Sequence, residues 1–173
     1  MKTSYLLDEQ LDLVLAALTP ANRLVAQVML HTGLRVGDVV SLRADQVKGR
    51  FTVREQKTGK SRRVSIPPWL VDALRAHSCG TEWAFPSPKD STKHRTRQAV
   101  WADIKRAQRA FRLPVNAGSH SLRKVYAVDL MHRYGDLRKV QQALNHDNEA
   151  VTLLYALADQ LVKTAPQRRK RRK

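Results

Sequence analysis

Arg35, Lys57, His120, Arg123, His146 and Tyr155 are spread in that order along a chain of 173 residues. They are two guanidiniums, one ammonium, two imidazoles and one phenol. That inventory suits one reaction well. Two guanidiniums hold the oxygens of a phosphodiester, a phenol attacks it, and an ammonium protonates the departing oxygen. Nothing in this set calls for a metal or a cofactor. Taken singly, each residue has a plainer explanation. Arg35 reads as a surface arginine after a helix, with Asp38 three residues on and within reach of a local ion pair. Lys57 reads as a solvated turn lysine. His120 and Arg123, three apart, share one helix face. Tyr155 stands among Leu153, Leu154 and Leu157 and reads as a core tyrosine.

The elements that must position these residues follow from periodicity and from breakers. Leu11, Val14, Leu15 and Leu18 recur at helical spacing and predict a helix over about 8–18. Pro20 opens a second helix with Leu24, Val25, Val28 and Met29 on its apolar face, and Gly33 ends it. A short helix follows over 38–42. The period then changes to two. Phe51-Thr52-Val53 and Arg63-Val64-Ser65-Ile66 read as strands, joined by a hairpin turn at Lys57-Thr58-Gly59-Lys60. Pro67-Pro68 starts a helix through Leu74. The loop from Gly80 to Asp90 has room for a short strand at Trp83–Phe85. Val100, Ile104, Ala107 and Phe111 stripe a basic helix over 96–111. Ser119 is placed to cap a helix to about Tyr134, Gly135-Asp136 starts another to about His146, and Asn148 caps a last one bearing Tyr155. The fold class is therefore mainly α with one small antiparallel β-sheet. A single domain over 1–165 is expected, followed by a basic tail over 166–173 with the composition of a disordered segment.

Thirty-two Lys and Arg against 15 Asp and Glu give a formal net charge of +17, which favours a polyanionic partner. Charge alone names no activity. Cys79 is the sole cysteine, so neither an internal disulfide nor a cysteine-based zinc site can form, in keeping with a reducing compartment. The six histidines lack the spacing of a metal motif. No apolar run approaches the roughly 20 residues of a membrane span. Two familiar motifs fail on inspection. Gly59-Lys60-Ser61 has Arg54 where a phosphate-binding loop needs glycine, and Gly118-Ser119-His120 lacks the second glycine of a nucleophile elbow.

In order and in local context the six residues gain meaning together. Thr32-Gly33-Leu34-Arg35 with Asp38, Lys57-Thr58-Gly59-Lys60-Ser61-Arg62, His120-Ser121-Leu122-Arg123-Lys124, and Leu144-Asn145-His146 followed by Thr152 and Tyr155 resemble the catalytic domain of the tyrosine recombinases, the phage integrase family. The resemblance spans roughly residues 5–157. Two positions depart from the usual pattern: Asn145 stands where glycine is common, and Asp38 where glutamate is. The family's N-terminal DNA-clamping domain is not represented in the sequence.

The resemblance implies a site-specific recombinase or integrase that cuts and rejoins DNA through a 3′-phosphotyrosyl link. Arg35, Arg123 and His146 would hold the scissile phosphate. His120 would manage the nucleophile's proton, Lys57 would protonate the leaving 5′ oxygen, Tyr155 would attack, and Asp38 would brace Arg35. It implies double-stranded DNA as the partner, with Lys60, Arg62, Arg97, Lys105 and Lys124 as DNA contacts. It further implies a dimer or tetramer on DNA, an accessory DNA-binding protein as clamp, and a cytoplasmic setting of prokaryotic, archaeal or viral origin. A relaxing enzyme of the type IB topoisomerase kind and a catalytically silent DNA-binding protein of the same fold are the competing readings.

Overall fold

A computed structural model describes residues 3–144. The expected last helix, with His146 and Tyr155, and the basic tail lie outside the described residues.

Helix α1 runs Asp8–Ala17 and α2 Pro20–Thr32. Pro20 suits the first turn of α2 because its missing N–H would have no helical partner there. Gly33 closes α2 at φ +63°, and its N–H bonds to the Met29 carbonyl at 2.7 Å. A side chain is excluded at Gly33 twice over. The left-handed backbone disfavours one, and a Cβ would sit 2.2 Å from Tyr126 Cδ1. Helix α3 is Val36–Val40, two residues earlier than expected. Strands β1 (Arg50–Arg54) and β2 (Ser61–Ser65) pair antiparallel, with Phe51 opposite Val64 and Val53 opposite Arg62. Six residues, Glu55 to Lys60, join them.

Helix α4 is Pro68–His77 and α5 is Arg97–Ala110. The Thr96 hydroxyl caps α5 by accepting the Ala99 N–H at 3.1 Å. Between them Trp83 makes one isolated bridge with Arg43 rather than the expected strand, since the pairing stops at two bonds, Ala84 N–H to the Leu42 carbonyl and Ala44 N–H to that of Glu82. Helix α6 is Ser119–Tyr134. Ser119 is its first residue and not its cap. Gly118 holds the cap position, and its N–H bonds to the Ser121 hydroxyl at 3.1 Å. Gly135 closes α6 instead of opening the next helix. Asp136 opens α7 (Leu137–Leu144) by accepting the Arg138 N–H at 2.8 Å.

The centre of the molecule is α2, which packs against α1, α3, α4, α5 and α6. Its Val25, Val28 and Met29 are fully buried with Leu34, Leu70, Leu74, Phe85, Ile104 and Leu122. A second, smaller apolar cluster joins α7 to α6 through Ala127, Leu130, Val140 and Leu144. The sheet lays Phe51, Val53 and Val64 on the main core. The C-terminal end of α2, the hairpin and the start of α6 thereby meet at one edge. Among the described residues no helix is long and apolar enough to cross a membrane.

Candidate active site

That edge holds a cleft of about 400 Å³ whose wall includes Arg35, Asp38, Lys57, Arg97, His120 and Arg123. Residue 35, residue 57 and the pair 120 and 123 are far apart in the chain, and three different segments deliver them.

Arg35 follows the left-handed turn at Gly33 and precedes α3 in an extended conformation, φ −71° and ψ 148°. Its Nη1 donates to Glu55 Oε2 at 2.7 Å, and Glu55 is fully buried. The expected brace, Asp38, does something else. Because Arg35 lies outside the helix, the helical i, i+3 geometry does not apply to it. Asp38 Oδ1 accepts the backbone N–H of Gln56 at 2.9 Å instead and so pins the hairpin turn to α3.

Arg123 lies on α6, one turn inside its N-terminus, and is buried. Its Nη1 donates to the Gly33 carbonyl, and its Nη2 donates to the Leu144 carbonyl at 3.1 Å. These two bonds set the plane of the guanidinium and tie three elements to the cleft wall. His120, three residues earlier, is exposed on the same face, while Leu122 turns into the core, as its spacing predicts. The start of α6 adds the positive end of its dipole to the cleft. Lys57 stands exposed in the hairpin turn and also lines the cleft. Four cations and one imidazole around a single carboxylate make the cleft a site for an anion.

Of the expected DNA contacts, Lys60 and Arg97 are exposed, and Arg97 lines the cleft. The other three are committed to the protein. Arg62 occupies an inward position of β2. It donates to the Ala143 carbonyl and, at 2.5 Å, to that of Thr32, and its Nε lies 3.8 Å from Glu55 Oε1. Burial lowers the Arg62 pKa. Lys105 Nζ donates to Gln108 at 2.9 Å and to Asn116 at 2.5 Å. Lys124 Nζ donates to the Thr3 carbonyl at 2.5 Å. Arg62 and Lys124 thereby satisfy backbone carbonyls at element ends and in the N-terminal segment, and Lys105 satisfies side-chain amide oxygens.

Sequence reasoning missed Glu55. Two signals mark it. It is the sole acid between Asp45 and Asp72, in a stretch rich in Arg and Lys. It also continues the inward phase of Phe51 and Val53. An acid at an inward strand position must find cations or be neutralised. Among the described residues no group of three or more His, Cys, Asp and Glu is placed to hold a metal ion. His146 and Tyr155 lie outside the described residues.

A mainly helical domain with a two-stranded hairpin thus carries an Arg–Lys–His–Arg cleft at one edge. Residues 4–161 match the Phage integrase family, and the chain belongs to that family. It is 30% identical over 156 residues to the integrase of Escherichia phage P2, covering 90% of this chain and 43% of that protein. It is also 30% identical over 159 residues to the tyrosine recombinase XerA of Thermococcus kodakarensis, covering 85% and 55%. The chain thus spans about half the length of these relatives. The fold matches that in the crystal structure of XerA recombinase with a TM-score of 0.73 at 23% identity, covering 96% of this chain and 67% of that one. It matches the lambda integrase catalytic core with a TM-score of 0.67 at 22% identity, covering 83% and 91%.

Proposed function

We propose that this protein is a site-specific DNA recombinase or integrase that breaks and rejoins strands through a 3′-phosphotyrosyl intermediate. The observation that carries the reading is the convergence of Arg35, Lys57, His120 and Arg123 on one cleft, in a chain of this family. In this reading Arg35 and Arg123 grip the non-bridging oxygens of the scissile phosphate. Their hold strengthens as charge builds in the pentacoordinate transition state. The Tyr155 oxygen attacks phosphorus, the bond from phosphorus to the 5′ oxygen breaks, and Lys57 gives that oxygen its proton. His120 handles the tyrosine proton and His146 adds a hydrogen bond to the phosphate. The new ester keeps the energy of the old one, so a second 5′ hydroxyl reverses the step. Asp38 acts on the Lys57 turn through Gln56 rather than on Arg35.

Double-stranded DNA is the proposed partner, with Lys60 and Arg97 the contacts best supported by exposure. Assembly on DNA is supported by analogy, since lambda integrase has been crystallised as a dimer on a core site and as a tetramer on a Holliday junction.

The test uses nicked suicide duplexes drawn from DNA flanking the gene. The wild type should form a covalent adduct that survives denaturant and chelator. Tyr155→Phe should form none, and Arg123→Ala should bind but not cleave. A wild type that forms no adduct on any flanking duplex overturns the reading, and relaxation of plasmids lacking the site points instead to a topoisomerase.

A further inference from the structure

We propose that Glu55 is a positioning residue, one carboxylate that fixes the Arg35 guanidinium and the Lys57 turn relative to each other. This inference rests on the recombinase reading above. Glu55 Oε2 accepts from Arg35 Nη1 at 2.7 Å and from the Thr58 hydroxyl at 3.1 Å. Thr58 is the residue after Lys57. The Glu55 backbone closes the same turn, its N–H donating to Lys60 at 3.0 Å and its carbonyl accepting from Gly59 at 2.8 Å. A single oxygen therefore links the cation that grips the phosphate to the turn that carries the proton donor. The other oxygen, Oε1, makes no hydrogen bond among the described residues and faces Arg62 Nε, itself unbonded, at 3.8 Å.

The placement matters because the two groups act on different oxygens of one phosphorus. Arg35 holds non-bridging oxygens, while Lys57 must meet the leaving 5′ oxygen. The Asp38–Gln56 bond ties the turn to the backbone of α3, but it does not touch the Arg35 guanidinium. The Glu55 carboxylate provides the direct link. A displacement of about 1 Å at a reacting group costs on the order of 10²-fold in rate, so removing the link should slow chemistry and leave DNA affinity in place.

The test is single-turnover cleavage by the full chain on a suicide duplex. Glu55→Gln keeps the volume and one acceptor. It should cleave about 10²-fold more slowly than wild type with an unchanged DNA Kd. Thr58→Val removes only the turn's bond and should cleave about 10-fold more slowly. A second duplex carries sulfur in place of the 5′ bridging oxygen. A thiolate leaves without a proton, so this substrate bypasses Lys57. It should restore Thr58→Val to the wild-type rate and restore Glu55→Gln only in part, since Arg35 has lost its bond to the Glu55 carboxylate. A purely structural role would lower the melting temperature and respond to neither substrate. Should Glu55→Gln fail to fold, Thr58→Val and its sulfur rescue decide the matter. Wild-type rates for both variants, or no rescue of Thr58→Val, overturn the inference alone. A wild type that forms no adduct overturns the recombinase reading and takes this inference with it.

Discussion

Two corners of the molecule are each built around a buried carboxylate, Glu55 at the cleft and Asp103 on α5. Asp103 is saturated. Its Oδ2 accepts from the Thr19 N–H, the Thr19 hydroxyl and the Asn22 amide, each at 2.8 Å, and its Oδ1 accepts from Arg106 at 2.9 and 2.6 Å. It pins the α1–α2 turn to α5 and touches nothing in the cleft. Burial pushes its pKa up, but the bonds from Asn22, Thr19 and Arg106 outweigh that and leave it below the usual Asp value. Glu55 is unsaturated. Among the described residues its neighbours are two arginines and a threonine, and one oxygen has no hydrogen bond. A structural acid collects as many neutral donors as the site allows, because each unpaired group costs about 1–3 kcal/mol. The two acids thus differ in how many donors each has among the described residues, five bonds at Asp103 against two at Glu55.

Gly33 allows the harshest test, because its turn delivers Arg35 and its carbonyl anchors Arg123. Gly33→Ala should destabilise by about 2–5 kcal/mol, from left-handed backbone strain plus overpacking against Tyr126. A shifted urea midpoint would measure it, and cleavage should fail in whatever folded protein remains. Asp103→Asn sharpens the comparison from the other side. It should cost about 1–3 kcal/mol in urea while leaving the cleavage rate of the folded fraction intact. The pH dependence has a definite sign. The Asp103 pKa is lower folded than unfolded, so its stabilisation is complete above the unfolded value, near ~3.9, and is lost as pH falls through the folded value. The variant should unfold in acid with a shallower slope there. A loss of cleavage equal to that of Glu55→Gln would erase the distinction. The mildest effect belongs to Arg97→Ala. It should weaken DNA binding severalfold, reduce the salt slope by about 1, and change the single-turnover rate little.

Most of the fold is legible in the sequence. Pro20, Gly33 and Pro68 punctuate helices by fixed backbone preferences, and the apolar stripes of α2 and α5 are read from spacing alone. The contacts that the sequence does not announce share a cause. Asp38, Arg62, Lys105 and Lys124 were assigned by their charge and their neighbours in the chain. The structure pairs them instead with a Gln56 N–H, with carbonyls of Thr32, Ala143 and Thr3, and with Asn116. Those partners are distant in sequence, and no local pattern announces them. Arg62 and Glu55 are partial exceptions, since the period-two phase of their strands already points both inward.

The sequence by itself determined which residue types are present, their order, and the elements that carry Arg35, Lys57, His120 and Arg123. Local backbone preference and apolar periodicity suffice for that. Only the tertiary structure decided how the charges are shared out. A guanidinium or carboxylate leaving water takes the nearest donor or acceptor that packing provides, and packing is set by contacts between distant segments. The +17 chain therefore spends several of its cations inside the fold and keeps Arg35, Lys57, Arg97 and Arg123 at the cleft, with Glu55 holding the first of them in place.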